Sequence, residues 1–245
     1  MLWSSVPDAR DPASNHLLDS LPRPQRTRLL KLCRLRDLEV DDVLSIPGSA
    51  GTALLFPLSG LVSQSLVRTG AESLQLLALG SEGLIGAAGV LRAGAETLAA
   101  VVAVRGVAVS LDRRFWNQAV AASPRLCPLL QRYQGLQSGR LARSAVCLAL
   151  HAGEQRLVRW LLEAADRVGD APLPVTHERL GRLLGLRRSG VTVLAGNLHR
   201  SGLIDYHRGR ICLRDLAGLE AAACACYLED RHARAGAFAD LRERR

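Results

Sequence analysis

The chain has 245 residues, with 32 Lys+Arg against 23 Asp+Glu and a formal charge of +9, which puts its pI near 10.1. A composition that is 48% hydrophobic and 22% charged excludes a disordered chain, and a chain of this size hides roughly 70% of its unfolded surface without staples. The longest apolar runs, such as residues 99–104, and an N-terminus carrying Asp8, Asp11 and Asp19 fit neither a membrane span of ~20 residues nor a signal peptide, so the expected location is the cytoplasm.

Residues 1–14 read as a loose polar arm, and 16–32 as short helices around Pro22 and Pro24. Between Leu35 and Leu111 the sequence breaks into short apolar runs punctuated by glycine: 43–46, 53–56, 60–67, 73–79, 98–104 and 106–110. Many short strands at close spacing predict an antiparallel β-roll of jelly-roll type, so residues 1–115 are assigned to an arm and a β-roll domain. Helical spacing takes over from 116 to 152. There Leu126, Leu129, Tyr133 and Leu136 fall at i, i+3, i+7 and i+10, an a/d seam that predicts a dimerisation helix. The alternative is a long helix lying on its own β-roll. Gly135 and Gly139 each cost that helix about 1 kcal/mol relative to alanine, which close approach of a partner helix would offset.

Residues 153–245 are assigned to a third region, with a helix over 155–168, a Gly/Pro linker over 169–174, a compact unit over 175–214, a terminal helix over 216–229 and a polar tail. In the compact unit Thr176 can cap a helix bearing Leu180, Leu183 and Leu184. Gly185 stands where a tight turn must follow, and the next helix, from Arg187 to Arg200, carries Val191, Leu194, Ala195 and Leu198 on one side. Residues 204–206 and 210–213 form a hairpin turning at Arg208-Gly209. Helix, glycine turn, helix and hairpin make a winged helix-turn-helix, whose second helix enters the major groove. Eight arginines stand here against Glu178 and Asp205, so six of the nine net charges fall in 40 residues, as phosphate binding requires. The predicted fold class is therefore α+β: an N-terminal antiparallel β-roll, a long dimerisation helix and a C-terminal winged helix-turn-helix.

This order of elements, with the strings VTHERLGRLLGLRRSGVT at 175–192 and GLIDYHRGRI at 202–211, resembles the CRP/FNR-type bacterial transcription regulators over about residues 16–215. The resemblance implies a homodimer bound to two-fold symmetric double-stranded DNA, with RNA polymerase as a further candidate partner. Family members commonly read DNA with Ser/Arg-Arg-Glu-x-x-x-Arg at the start of the recognition helix. Arg188 matches the middle arginine, whereas Ser189 replaces the acid and Val193 the last arginine. At ~100° per residue Ser189, Thr192, Val193, Gly196 and Arg200 turn away from the Val191/Leu194/Leu198 side. Arg188 is then the candidate for guanine, Thr192 or Val193 for a thymine methyl, and Arg187, Arg200, Arg208 and Arg210 for phosphates. The operator half-site should differ from the family's usual one.

In relatives that bind cyclic nucleotides, a Gly-Glu pair holds the ribose and an Arg-Ser/Thr pair the cyclic phosphate. Here Gly86 is followed by Ala87, and Thr97-Leu98 stands in place of the second pair, a degenerate pocket without the carboxylate or the guanidinium. A buried phosphate without donors is costly, so neither cAMP nor cGMP is expected to bind, Arg92 nearby being the one candidate for compensation. No cofactor and no metal is expected. Cys33 stands alone before Cys127, against a clustered iron–sulfur set, and none of the six histidines lies between Leu35 and Leu111, against haem ligation or a metal-dependent cupin enzyme. Cys224 and Cys226, weighed as a redox pair or metal clip, are read as two ordinary thiols because neighbours two apart on a helix point away from each other. No nucleophile, P-loop or Rossmann pattern points to an enzyme. The competing reading is a degenerate regulator that acts as a protein-interaction module and binds DNA weakly.

Overall fold

The computed structural model describes residues 14–67, 73–91, 95–169 and 172–238. The arm at 1–13, Arg92 and the end of the tail lie outside the described residues. The chain opens with α1 (His16–Asp19) and α2 (Arg23–Leu30), then enters a roll of two antiparallel sheets. One sheet has the order β1-β7-β3, from Arg34–Leu38, Gly106–Asp112 and Ala53–Pro57. The other has the order β2-β6-β4-β5, from Val43–Ser45, Ala99–Val104, Leu61–Val67 and Ser73–Leu79. Side chains alternate across a strand, and β3 shows what that does to a run of Leu54, Leu55 and Phe56. Leu55 joins Leu38, Val62, Leu79, Val102 and Ala108 between the sheets, while Leu54 and Phe56 face outward onto Leu17, Leu21 and Leu29 of the N-terminal helices. Both faces are buried, so the run is continuously apolar.

Strand β1 lies beyond the predicted apolar runs. Among the described strands it pairs with β7 alone, and four of its five residues are exposed. Arg34, Arg36 and Asp37 are the charged side chains expected on an edge that must not pair with another chain. The helical stretch from 116 is two helices, α4 (Trp116–Ala122) and α5 (Leu126–Leu150). Ser123 lies between them, and its hydroxyl bonds Gln25 instead of capping α5.

The a/d seam assigned to dimerisation is overturned. Leu126, Leu129 and Tyr133 are almost fully buried within the single chain, with Leu136 packed against the same cluster of β-roll and N-terminal helix residues. The Tyr133 hydroxyl donates to the Leu84 carbonyl at 3.2 Å and accepts the Leu84 N–H at 2.9 Å. Periodicity identifies which side of a helix is buried, not what buries it, and here the chain's own β-roll does.

The C-terminal region is docked on the roll. After α5, α6 (Gly153–Val168) runs back, followed by β8 (Leu173–Pro174), α7 (His177–Leu184), α8 (Arg188–Arg200), β9 (Ile204–His207), β10 (Arg210–Leu213), α9 (Leu216–Ala222) and α10 (Ala225–Gly236). Leu61, Ala78 and Ala103 of the roll share one core with Leu157, Trp160, Leu161, Leu183 and Leu184. Polar ties reinforce it. The Arg140 guanidinium, 1% exposed, meets Asp230 at 2.9 Å, the Ala78 carbonyl at 2.9 Å and Gln137 at 3.0 Å, and Arg167 pairs with Glu82 at 2.7 Å. Arg140 is the centre that joins α5, α10 and β5.

Candidate nucleic-acid interface

Thr176 caps α7, its hydroxyl accepting the Arg179 N–H at 3.2 Å. The helix ends on Gly185, whose φ of +62° is the left-handed conformation that a side chain resists. This turn sets α8 across α7. Val191, Ala195 and Leu198 are buried and hold α8 to the core, while Arg187, Arg188, Ser189, Thr192, Val193 and Arg200 are exposed on the side that faces outward. Val193 is 62% exposed, a large apolar side chain open to solvent. The recognition surface assembled from these residues carries guanidinium groups at its two ends and small or apolar groups between.

The wing is a hairpin of β9 and β10 extended by β8 on the far edge of β10. Its turn places Arg208 at φ +46° and Gly209 at φ +75°, two successive left-handed residues as a tight two-residue hairpin requires. Arg208 and Arg210 are both exposed. Of the eight arginines in this unit, Arg179 pairs with Asp41 at 3.1 Å and bonds the Val102 carbonyl, and Arg214 pairs with Asp205 at 2.6 Å. Arg182, Arg187, Arg188, Arg200, Arg208 and Arg210 form no ion pair among the described residues, so the positive excess sits on the recognition helix, the wing and the outer side of α7.

One contributor has no signature in the sequence. The His177 ring stacks on Tyr206 of the wing, with centroids 4.2 Å apart, and its Nδ1 lies 3.1 Å from the Thr192 hydroxyl. That hydroxyl donates to the Arg188 carbonyl at 3.0 Å, so Nδ1 must be the donor to Thr192. The histidine thereby fixes the hairpin, α7 and α8 to one another and engages the Thr192 hydroxyl, leaving its methyl without a polar partner. Burial, with Arg188 adding to it, depresses the His177 pKa, which keeps the ring neutral beside the basic surface.

In the roll, Gly86, Ala87, Thr97 and Leu98 line one cavity of about 370 Å³ together with Glu96, Tyr133 and Gln137. Gly86 opens α3 (Ala87–Val90) at φ +91°, and a Cβ there would lie 2.3 Å from the Ala53 carbonyl, so the backbone geometry of this site tolerates no side chain. Among the described residues, Glu96 is the one charged group in the lining. Its carboxylate accepts the Ala88 N–H at 3.1 Å, and burial raises its pKa against that hydrogen bond. The cavity is large enough for a small ligand but offers an acid, not a guanidinium, to a phosphate.

Residues 155–222 match the family described as the Crp-like helix-turn-helix domain. No curated protein matches the chain. Among solved structures, the chain is similar to a CRP/FNR-family transcriptional regulator from Thermus thermophilus, at 25% identity over 78% of this chain and 98% of that one, with a TM-score of 0.59. It shares its fold with the c-di-GMP responsive global regulator CLP of Xanthomonas campestris, at 19% identity over 78% and 98% with a TM-score of 0.63. FixK2 of Bradyrhizobium japonicum is a further fold relative, at 16% identity over 79% and 98% with a TM-score of 0.64. Residues 155–222 thus carry a Crp-like helix-turn-helix domain, and the order of β-roll, long helix and winged helix-turn-helix is the fold that the chain shares with these solved regulators.

Proposed function

We propose that the protein binds a two-fold symmetric operator as a homodimer and regulates transcription without answering to cyclic nucleotides. The observation that carries this reading is the exposed face of α8, flanked on both the helix and the wing by arginines outside any described ion pair. Arg188, at the first turn of α8, is the base-reading arginine, with Ser189, Thr192 and Val193 completing a nearly neutral reading face. Arg187, Arg200, Arg208 and Arg210 grip phosphates, and Thr176 holds the start of α7 at the backbone.

Pairing of two chains is assigned to the side of α5 that the roll leaves open. Gln131, Gly135, Ser138, Ala142, Ala145 and Ala149 are exposed and recur at alternating steps of four and three, the spacing of a helix–helix seam. Small residues there let two backbones approach closely, and Val146 and Leu150, 48% and 75% exposed, extend the apolar surface. Two copies joined along α5 would set their recognition helices one DNA turn apart, ~34 Å. Against a nucleotide effector stand Ala87 in place of a carboxylate, Thr97-Leu98 in place of the phosphate-binding pair, and Glu96 in the same cavity.

Selection of bound DNA from a randomised library tests the reading. The expected product is an inverted repeat with half-sites about one turn apart; enrichment of single half-sites, or of no sequence, refutes it. Calorimetric titration with cAMP and cGMP is expected to show no heat of binding, and micromolar affinity for either would overturn that part.

A further inference from the structure

Four potential ligands converge where the helix leaving the roll meets the last helix of the chain. Cys147 lies in the last turn of α5, and His151, four residues on, is its C-cap, so both project from one side. Cys224 is the N-cap of α10, with extended backbone at φ −74°, ψ 157°, and Cys226 follows within the first turn. The premise that Cys224 and Cys226 share a helix and diverge therefore fails: the bend at Cys224 brings both sulfurs to the same point. Cys147 Sγ and Cys224 Sγ are 3.7 Å apart, Cys226 Sγ and His151 Nδ1 are 3.6 Å apart, and all four ligand atoms lie within 4.8 Å of one another.

The 3.7 Å and 3.6 Å separations match two edges of a coordination tetrahedron. With Zn–S near 2.3 Å and Zn–N near 2.0–2.1 Å, the sulfur–sulfur edge is about 3.8 Å and the sulfur–nitrogen edge about 3.6 Å. An iron–sulfur cluster would spread the same ligands around a cage of several iron and sulfide atoms, and a disulfide between Cys147 and Cys224 would leave Cys226 and His151 unexplained. The three cysteines are 3–4% exposed, the closed setting of a structural site. A small cavity of about 50 Å³ bordered by Ser144, Cys147 and Arg159 opens beside it, where the Arg159 guanidinium, paired with Glu163 at 2.7 Å, donates to the Ser144 hydroxyl at 3.3 Å.

We propose that Cys147, His151, Cys224 and Cys226 form a Cys₃His site for a single tetrahedral divalent metal ion of the zinc class. Binding displaces the three thiol protons to solvent and oxidises nothing. The ion would clasp the joint at His151–Ala152, where α5 passes into α6, to the helix that follows the wing. It would thus set the attitude of the DNA-binding domain on the long helix.

The test uses the full chain purified under reducing, anaerobic conditions and dialysed against zinc. Elemental analysis is expected to find about one zinc per chain, and cobalt loading to give thiolate charge-transfer bands with the intense visible bands of tetrahedral cobalt. Cys147→Ser and Cys224→Ser should each lower retained zinc at least tenfold, whereas Cys127→Ser, remote from the cluster, should keep it. Because a serine at a buried position can unfold the chain, His151→Cys provides a second arm. It keeps four ligands, and it should retain zinc and shift the cobalt spectrum toward that of four thiolates. Retention of less than about a tenth of an equivalent by the folded wild-type chain, an octahedral cobalt spectrum, equal loss in Cys127→Ser, or a Cys147–Cys224 disulfide forming while zinc stays free would each overturn the proposal.

Discussion

The wing arginines offer the most quantitative test of the DNA-binding surface. Arg208 and Arg210 are exposed and outside any described ion pair, so their charge can be removed without opening a core. Arg208→Asn suits the left-handed backbone at this position, where φ is +46°, and Arg210→Gln keeps the length of a strand residue. If Arg187, Arg200, Arg208 and Arg210 each neutralise one phosphate, a dimer makes about eight such contacts, and the slope of log K against log salt is about −7. The double variant removes about four of them, leaving a slope near −3.6. Between about 50 and 200 mM salt, the wild-type dimer should lose affinity about 20,000-fold and the variant only about 150-fold. Fluorescence anisotropy with a labelled operator, repeated across that range, measures both slopes. A variant slope within one unit of the wild-type value refutes the assignment of the wing to phosphates, and a flat slope for both proteins favours the interaction module over the regulator.

Arg188→Ala should relax sequence preference at one base pair per half-site, losing about 1–3 kcal/mol of discrimination there; a uniform loss over all sequences would make Arg188 a phosphate contact. Asp230→Ala strands the buried Arg140 charge and should lower stability by about 3–5 kcal/mol in urea unfolding, and a change under about 1 kcal/mol would refute its place in the network. The same network predicts acid sensitivity. Burial pushes the Glu82 carboxyl up, but Arg167, Arg140 and Arg234 together outweigh it and bring it down to about 2. Asp230 is also lowered: burial pushes it up, and Arg140 leads the groups that overcome that burial. Carboxyls whose folded pKa is depressed contribute stability above their unfolded value and lose it as pH falls toward the folded one. Unfolding free energy should therefore hold down to about pH 5 and decline between about pH 4.5 and 2. Tyr133→Phe removes both bonds to Leu84 and should cost about 1–3 kcal/mol for the buried groups left unpaired, read as a lower urea midpoint with unchanged DNA affinity; a midpoint equal to wild type would refute it.

The recognition helix was legible because its two sides differ in kind. Val191, Ala195 and Leu198 recur at the helical period, so the exposure of Ser189, Thr192 and Val193 followed from geometry alone. The departures trace to what a local pattern omits. Leu126, Leu129, Tyr133 and Leu136 were placed on the buried side of α5, as they are, but the covering surface is the chain's own roll, which no spacing along one helix can reveal. Strand β1 escaped notice because an edge strand is charged for the sake of its exposed side. The tetrahedral cluster was invisible for a different reason: Cys147 and Cys224 are 77 residues apart in sequence, and only the packing of α10 on α5 brings them together. Arg140 is a buried charge whose partners lie in α5, β5 and α10, which no spacing along α5 shows.

That arginine also imposes an order on the birth of the protein. Asp230 lies 90 residues downstream of Arg140, so on the ribosome the guanidinium is made roughly 5–20 s before its counter-ion, at 5–20 residues per second. During that interval the Arg140 guanidinium has Glu82 nearby and the Ala78 carbonyl to bond but lacks its hydrogen-bonded counter-ion, even though every strand of the roll has already emerged. The packing of α5 on the β-roll is therefore completed by α10, which supplies the carboxylate that meets Arg140.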